Sequence, residues 1–271
     1  MNLEKIEISV PGQVSGAAVL HTYLLDRISV AENRKRPAVI VCAGGGYRIC
    51  SDRESEPIVT RFLAMGYHSF LLEYSVDPNR FPTSLLELAC AVAQIREHSE
   101  AWCVDPDKIL LCGFSAAGHR CCSLGVFWNQ EWVYEAIGKR PEMIRPNGMI
   151  LAYPVVSSGE FAHKNSFLHL LGEHATEEEK ERVSLELHVG KDMPPAFIWH
   201  TYTDETVPVE NSLLLAMAMR RQDIRFELHI YPIGGHGLSL ASEETAGEQA
   251  ELNVPVCRSW ISLAKTWIEG L

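Results

Sequence analysis

One serine stands where a hydrophobic stretch of the chain changes abruptly into a run of small residues. The segment Leu110–His119 reads LLCGFSAAGH, so an apolar run ends near Gly113 and Ser115 follows it. This pattern is typical of a strand that turns sharply into a helix, with the serine hydroxyl exposed beside the free N–H groups of the helix start. Such a hydroxyl can attack a carbonyl carbon if a base accepts its proton. A turn that merely begins a helix is the alternative.

An acid and a base follow two later apolar segments at the same kind of position. Asp204 comes shortly after Ala196–His200, and His236 lies among glycines after Phe226–Tyr231. An isolated aspartate before a helix is often only an N-cap, and Glu205, one residue further on, is the rival acid. A histidine between glycines has no apolar face to join. Serine, acid and histidine in this chain order predict a catalytic triad.

Three consecutive glycines follow another apolar segment, Pro37–Cys42. The run Gly44–Gly46 is not a P-loop, because no G-K-[ST] follows it, and it does not have the G-x-G-x-x-G spacing of a dinucleotide site. Glycines let the backbone approach a ligand closely and direct N–H groups towards it. These N–H groups are candidates for binding the oxyanion that forms when a serine attacks an ester. A tight turn without that role is the alternative.

Apolar segments of strand length alternate with amphipathic segments of helix length along most of the chain. Two N-terminal segments, residues 3–10 and 18–27, are predicted strands. The strands predicted after them are Pro37–Cys42, His68–Val76, Lys108–Cys112, Met149–Pro154, Ala196–His200 and Phe226–Tyr231. The alternation predicts an α/β fold with a mostly parallel, doubly wound sheet and helices on both faces. Residues 3–10 and 18–27 are typical of a hairpin that adds an antiparallel N-terminal edge. Because ligands gather at the carboxyl ends of parallel strands, the triad and the glycines would meet there.

The whole chain, residues 1–271, is predicted to form a single domain, because no internal repeat, low-complexity tract or linker divides it. Residues 156–195 are an irregular stretch between two core strands and a candidate cap over the site. Within this stretch Thr176 opens a T-x-x-E pattern, which predicts a short capped helix.

The sequence also makes predictions for two further helices. Ser51 and Glu54 have capping-box spacing, unless the helix that follows begins at Pro57 instead. The last helix is predicted to turn one apolar face towards the core, formed by Val256, Trp260, Leu263, Ala264 and Trp267.

Composition narrows the classes of partner and compartment. Lys+Arg number 24 and Asp+Glu 35, a net charge of −11, which disfavours nucleic acid and acidic membrane surfaces. No signal peptide or apolar run of membrane-spanning length is visible. The eight cysteines lack C-x-x-C spacing, so reduced thiols in the cytoplasm are expected. Cys121 and Cys122 with His119 would be an awkward tetrahedral metal site, since two ligands are adjacent, and no metal is predicted.

With these residues assembled, the chain resembles the α/β-hydrolase superfamily. It is most similar to bacterial esterases of the acetyl-xylan-esterase-like group, relatives of the hormone-sensitive-lipase type. The matching blocks are Gly44–Tyr47 with Ser51–Glu54, Gly113–Ala116, Tyr153–Val155, Trp199–Thr201 with Asp204, Val207–Ser212 and Gly234–Leu238. Two residues depart from the pattern. Ala117 replaces the second glycine of G-x-S-x-G, and Ala43 replaces the histidine that lipase-like relatives carry before the glycines.

The resemblance, together with the chemistry of the side chains, implies a role for each candidate. Ser115 would be the nucleophile, His236 the base and Asp204 the group that orients the imidazole. The oxyanion would be bound by N–H groups of Ala116 and of Gly45 or Gly46. Tyr47 is a candidate substrate-binding residue that could instead simply pack. The resemblance implies an esterase without a cofactor that removes small acyl groups, chiefly acetyl, from sugar esters.

Three alternatives stay open at this point. A general short-chain carboxylesterase would share every catalytic residue and prefer simple esters. A serine peptidase or formamidase would use the same triad on amides. A binding protein on a hydrolase scaffold would have no need of the complete triad. The sequence does not determine the oligomeric state, and a homo-oligomer is one of the states it allows.

Overall fold

An eight-stranded β-sheet flanked by helices runs through residues 2–271, the part of the chain that the computed structural model describes. The strands are β1 Asn2–Ile8, β2 Ala18–Leu24, β3 Arg36–Cys42, β4 His68–Glu73, β5 Val104–Phe114, β6 Gly148–Ala152, β7 Ala196–Thr201 and β8 Phe226–Tyr231. The α-helices are α1 Glu56–Ala64, α2 Thr83–Glu97, α3 Ser99–Trp102, α4 Ala116–Phe127, α5 Glu131–Tyr134, α6 Pro141–Ile144, α7 Lys164–Leu171, α8 Glu177–Arg182, α9 Glu210–Arg221, α10 Glu243–Ala246 and α11 Trp260–Glu269. Across these described residues, no helix combines the length and the apolar character that a membrane crossing requires.

The strands are ordered β1-β2-β4-β3-β5-β6-β7-β8 across the sheet. β2 pairs antiparallel with β1 and with β4, and the remaining neighbours pair in parallel. The predicted mostly parallel, doubly wound sheet with an antiparallel N-terminal edge is therefore confirmed. The carboxyl ends of β3, β5, β7 and β8 lie along one edge, and Gly44, Ser115, Asp204 and His236 each follow within a few residues.

Both faces of the sheet are covered. In β3, Ala38 and Ile40 pack in a cluster with α2, α4 and α9, whereas Val39 and Val41 pack in a second cluster with α1 and α11. Alternate side chains of a strand point to opposite faces, so a strand buried on both sides is apolar throughout. This is why the hydrophobic runs in the sequence are continuous rather than alternating.

β4 ends earlier than the hydrophobic pattern predicts. The sequence predicts a strand over His68–Val76, but pairing stops at Glu73. The backbone N–H of Ser75 donates to Glu87 Oε2 at 2.8 Å, so a side chain of α2 takes the place of the next ladder bond.

The predicted capping box before α1 is wrong, and the alternative helix start is nearly right. Helix α1 begins at Glu56, with Pro57 in its first turn. Residues Asp52–Glu54 form a short 3-10 turn, and Ser51 makes no capping bond. Glu54 is only 3% exposed, because its carboxylate points into the protein instead of returning to the helix start.

Residues 156–195 contain α7 and α8 between β6 and β7. The capped helix predicted at Thr176 is confirmed, since its hydroxyl accepts the N–H of Glu179 and the Glu179 carboxylate accepts the N–H of Thr176. Helix α7 lies beside the glycine run. Its residue Ser166 shows this, since a Cβ atom at Gly46 would be 3.8 Å from Ser166 Oγ. Whether this segment acts as a cap stays a prediction.

Helix α11 closes one face of the sheet with a tryptophan. Trp260 is fully buried, stacks on Trp199 with ring centroids 5.3 Å apart, and donates its Nε1–H to Ser239 O at 2.9 Å. The predicted apolar face includes Trp260 and Ala264, both buried. Val256 is not part of it, because this residue precedes the helix in a 3-10 turn and is 45% exposed.

We expect Trp260→Ala to lower the free energy of unfolding by about 3–5 kcal/mol, because it removes a large buried ring and leaves a cavity. Val256→Ala is the matched control on the same segment and should change it by less than about 0.5 kcal/mol. Urea denaturation followed by circular dichroism measures both. Equal losses in the two variants would contradict this packing.

Candidate active site

Ser115 occupies the turn between β5 and α4 in a backbone conformation that side chains rarely adopt. Its φ is 52° and its ψ is −121°. Such strain persists only where the surroundings hold it. The N–H of Ser115 donates to Ala152 O at 3.0 Å, and its carbonyl accepts the N–H groups of His119 at 3.2 Å and Val155 at 3.1 Å. These bonds fix the serine at the carboxyl edge of the sheet.

Glycines on either side make room for this turn. A Cβ atom at Gly113 would lie 2.5 Å from the carbonyl oxygen of Ala117, and one at Gly118 would lie 2.8 Å from Pro154 Cβ. Ala117, the departure from the usual G-x-S-x-G, is fully buried, and the turn forms around it. The close approaches therefore fall at Gly113 and Gly118, which explains why the displaced glycine is compatible with the serine corner.

The residues predicted as a triad lie within hydrogen-bonding distance of one another. Ser115 Oγ is 2.7 Å from His236 Nε2, and His236 Nδ1 is 2.7 Å from Asp204 Oδ2. Because the carboxylate is an acceptor, Nδ1 carries the proton and donates it, which leaves the lone pair of Nε2 to accept the serine O–H. The rival acid, Glu205, is exposed. This geometry lets the imidazole remove the proton of the hydroxyl.

Asp204 is a buried anion surrounded by donors. Its Oδ1 accepts the N–H groups of Thr206 at 3.0 Å and Val207 at 2.9 Å, and its Oδ2 lies 2.7 Å from His236 Nδ1 and 3.3 Å from His200 Nε2. Burial alone would raise the pKa of Asp204, but the hydrogen bonds from His200, His236 and the Val207 N–H outweigh it and hold this pKa well below its usual range. The carboxylate is therefore ionised at neutral pH.

His200 belongs to the surroundings of the triad, although its place in an apolar strand favours a packing role. It is fully buried on β7, with Nδ1 2.8 Å from Ser212 Oγ and Nε2 2.9 Å from Val207 O. The same Nε2–H lies close to the Asp204 carboxylate. The signal that could have found it is its spacing, four residues before Asp204 across the turn that ends β7.

The glycine run lies against the serine turn. A Cβ atom at Gly44 would be 3.0 Å from Ser115 Cβ. Gly45, Gly46 and Tyr47 follow with φ values of 133°, 64° and 59°. Successive positive φ values favour glycine. The run therefore makes a tight turn directly after Gly44, the glycine that lies against Ser115.

Three backbone N–H groups near the serine turn in the chain or in space have no hydrogen-bond partner within the described residues. Among residues 2–271, the N–H groups of Gly45 and Gly46 donate to no protein acceptor. Ala116 is the first residue of α4, where an N–H has no partner inside the helix. These are the residues that the sequence predicts as the oxyanion hole, and their role stays a prediction.

Glu54 is a buried carboxylate next to the glycine run. The sequence does not reveal this position, because the spacing of Ser51 and Glu54 is that of a helix capping box. Glu54 Oε2 accepts the N–H of Gly44 at 2.8 Å, and Oε1 accepts the O–H of Tyr153 at 2.6 Å. The Tyr153 oxygen also accepts the N–H of Ser239 at 2.9 Å, three residues beyond His236. Burial raises the pKa of Glu54, and the bonds from Tyr153 and Gly44 oppose this shift.

The side chain of Tyr47, the predicted substrate-binding residue, lies inside the protein. It is 3% exposed, and its O–H donates to His119 Nδ1 at 2.8 Å. The opposite ring nitrogen of His119 donates to Val183 O at 2.8 Å. The Tyr47 ring therefore packs, and its role in substrate binding stays a prediction. The chain of bonds joins the glycine run, helix α4 and the 156–195 segment.

The same hydrogen bonds engage His119, which the sequence offers with Cys121 and Cys122 as an unfavourable metal site. Both ring nitrogens of His119 are engaged in hydrogen bonds within the protein. Over the described range 2–271, no three side chains of His, Cys, Asp or Glu are grouped so that they could hold a metal ion.

Comparison with known proteins identifies the family of this chain. Residues 27–219 match the BD-FAE family model. The chain belongs to the BD-FAE family. Endo-1,4-beta-xylanase B of Butyrivibrio fibrisolvens is 37% identical over 218 residues, which are 78% of this chain and 34% of that protein. Acetylxylan esterase of Xylanibacter ruminicola is 27% identical over 217 residues, which are 78% of this chain and 43% of that protein. This BD-FAE chain thus spans less than half the length of these curated relatives.

A solved structure resembles the BD-FAE chain over nearly its whole length. The acetyl ester-xyloside bifunctional hydrolase from Caldicellulosiruptor lactoaceticus superposes with a TM-score of 0.79 and 35% identity, covering 94% of this chain and 88% of that one. The resemblance to α/β-hydrolases of the acetyl-xylan-esterase-like group is confirmed, and with it the α/β-hydrolase fold.

We expect His119 to make the stability of this BD-FAE chain depend on pH. Burial lowers the pKa of its imidazole from 6.5 to about 4, against the opposing bond to Val183. Between these values the unfolded chain binds more protons than the folded one, so the free energy of unfolding falls as the pH drops through this window. Glutamine can make both bonds of His119 without titrating. We expect His119→Gln to lose less stability than the parent between about pH 7.5 and about pH 5.

Urea midpoints at the two pH values measure this difference. His68, whose pKa is also lowered to about 4, titrates in both proteins and cancels in the comparison. An equal loss of stability in parent and variant would show that His119 does not resist protonation in the folded state.

Proposed function

We propose that this chain is a serine esterase that removes acetyl groups from acetylated xylan-type oligosaccharides through an acyl-enzyme. The proposal depends above all on two contacts of 2.7 Å, from Ser115 Oγ to His236 Nε2 and from His236 Nδ1 to Asp204 Oδ2. A base next to the hydroxyl and an anion next to the base are what a serine nucleophile requires.

In the proposed mechanism, Ser115 Oγ attacks the ester carbonyl carbon while His236 Nε2 accepts the hydroxyl proton. Asp204 stays ionised, keeps the proton on Nδ1 and stabilises the imidazolium. The imidazolium then protonates the leaving sugar oxygen, and the acetyl group stays on Ser115. A water molecule, deprotonated by His236, attacks the acyl-enzyme and releases acetate. These steps use only protein groups and water.

The negative charge of each tetrahedral intermediate would be bound by the N–H of Ala116 and by that of Gly45 or Gly46. Support comes from Ala116, which directly follows Ser115, from Gly44, which holds the glycine run against Ser115, and from the lack of other acceptors for these N–H groups among residues 2–271. Loss of one such donor typically costs about 10²–10³ in kcat, so the shape of the glycine run matters nearly as much as the triad.

The acetylated-sugar substrate is inferred from similarity. Acetylxylan esterase of Xylanibacter ruminicola and the acetyl ester-xyloside bifunctional hydrolase both carry acetyl and xylose chemistry in their names. A net charge of −11 suits a neutral sugar ester better than an anion. A short-chain carboxylesterase and a peptidase or formamidase would use the same triad. Relative rates on sugar esters, simple esters and amides distinguish these alternatives.

The proposal extends to the organisation of the chain. Residues 1–271 would be one domain, with 156–195 covering the site. A cap is supported by Ser166 near Gly46 and by His163, whose pKa is lowered by burial and then by the charge of His236. A cytoplasmic location suits the eight free thiols. That location and a homo-oligomer stay predictions.

Ser115→Ala is expected to lower kcat for p-nitrophenyl acetate by at least about 10³-fold, because within residues 2–271 no other hydroxyl is paired with His236. Ser123→Ala, a buried serine two turns further along α4 whose Oγ bonds His119 O at 2.8 Å, is the matched control and should keep its activity. Initial rates of purified proteins with matching circular dichroism spectra decide the matter. Full activity in Ser115→Ala would refute the serine mechanism.

The substrate class is tested by measuring acetate release from acetylated xylo- and manno-oligosaccharides beside p-nitrophenyl acetate and simple alkyl acetates. We expect kcat/KM to be highest for the xylo-oligosaccharides, with Ser115→Ala as the background control. Equal or higher values for the simple esters would instead favour a general carboxylesterase. Faster cleavage of N-formyl or peptide amides would favour the peptidase or formamidase alternative.

A further inference from the structure

We propose that Glu54 is a positioning residue for the reaction. Its carboxylate fixes Gly44 against Ser115 and, through Tyr153, fixes the loop that carries His236. The proposal deepens the serine-esterase function proposed above and rests on it. Glu54 does not touch the reacting atoms and acts through the groups that do.

The first oxygen of Glu54 controls the glycine run. Oε2 accepts the N–H of Gly44 at 2.8 Å. A Cβ atom at Gly44 would lie 2.8 Å from this oxygen, 2.8 Å from Phe114 O and 3.0 Å from Ser115 Cβ, so the glycine is enclosed on several sides. Peptide groups are planar. The bond to Glu54 therefore holds the peptide plane between Ala43 and Gly44, and the proposed oxyanion donors at Gly45 and Gly46 come directly after this anchored point.

The second oxygen reaches the loop that carries the base. Oε1 accepts the O–H of Tyr153 at 2.6 Å, and the Tyr153 oxygen accepts the N–H of Ser239 at 2.9 Å. The Tyr153 ring packs edge-on against the His236 imidazole, with centroids 5.1 Å apart and an angle of 71°. One buried carboxylate thus supports both the proposed oxyanion donors and the side chain that takes the serine proton.

The neighbour of Glu54 connects the same turn to the His236 loop a second time. Arg53 O accepts the hydroxyl of Ser239 at 2.6 Å, and Arg53 Nη2 donates to Gly237 O at 2.9 Å. The turn that contains Glu54 is therefore connected to the His236 loop through backbone and side chain alike. A shift of the Glu54 turn would be transmitted to both sides of Ser115.

The contacts require a carboxylate rather than an amide. Both oxygens of Glu54 are acceptors, and glutamine offers only one. If the amide oxygen accepted the Gly44 N–H, its NH₂ group would face the Tyr153 O–H. Tyr153 already uses its oxygen to accept the Ser239 N–H, so its proton would be left without an acceptor. Glu54→Gln therefore keeps the size of the side chain while disrupting one link.

The chain contains a closely matched control. Glu87 is fully buried, and like Glu54 it accepts one backbone N–H and one side-chain donor, here the N–H of Ser75 at 2.8 Å and the Nε2–H of Gln13 at 2.6 Å. It bonds no residue of the proposed triad or oxyanion hole. Glu87→Gln therefore reports the cost of placing an amide in a buried carboxylate site without changing the groups around Ser115.

The test compares Glu54→Gln, Glu87→Gln and the parent on p-nitrophenyl acetate. We expect Glu54→Gln to lower kcat by about 10- to 100-fold with KM within about twofold of the parent, since small misplacements of catalytic groups cost this much. Glu87→Gln should keep its kcat. An unchanged kcat in Glu54→Gln, or an equal loss in Glu87→Gln, would overturn the proposal.

A boronic acid that forms a tetrahedral adduct with Ser115 gives a readout that stability alone does not move. Its Ki should rise in Glu54→Gln by the factor by which kcat/KM falls, because both depend on tetrahedral-state binding. A fall in kcat without a rise in Ki would overturn the positioning role. If Glu54→Gln does not fold, Tyr153→Phe takes its place, with a smaller loss and the same correlation expected.

These outcomes are distinguishable from failure of the proposed function. Full esterase activity in Ser115→Ala, or no activity in the parent, refutes the serine esterase itself. An active parent that loses activity with Ser115→Ala but not with Glu54→Gln refutes only the role of Glu54.

Discussion

The hydrogen bond between Ser115 Oγ and His236 Nε2 joins residues 121 positions apart in the chain. Its 2.7 Å length requires two loops, one after β5 and one after β8, to keep a fixed distance although two other strands separate them in the sheet. The parallel sheet supplies this rigidity, because each strand end is held by the ladder of its neighbours. The strained backbone at Ser115 then directs the hydroxyl out of the sheet edge.

Buried charge sets the chemistry of this bond. Asp204 would be costly to bury as an isolated anion, yet two backbone N–H groups and two imidazoles surround it. The carboxylate that they stabilise determines the tautomer of His236, since only a protonated Nδ1 can donate to it. His200 contributes from inside β7, where water does not compete for its proton. The triad is therefore one end of a hydrogen-bond network that continues through His200 into the core.

Much of this arrangement could be predicted from the sequence because its signals are local. Continuous apolar runs indicate strands buried on both faces, and Ser115, Asp204 and His236 each come within a few residues of the end of such a run. Glycines at strand ends indicate close approach or positive φ, as Gly45 and Gly46 have.

Glu54 and His200 could not be assigned in the same way, because their roles depend on which segments meet in space. The spacing of Ser51 and Glu54 fits both a helix cap and a carboxylate directed inwards, and only tertiary packing chooses between them. Tyr47 illustrates the same limit. Its φ of 59° turns the side chain towards His119, and nothing in the neighbouring letters specifies that direction.

The central claim is that one serine of this chain is activated as a nucleophile. The most direct measurement is mass-spectrometric mapping of the protein after reaction with a serine-directed phosphonate. A single adduct on the peptide that contains Ser115 is the expected result, and it should disappear in Ser115→Ala. An adduct on another residue, or an unmodified Ser115 in a protein that hydrolyses esters, would contradict the assignment.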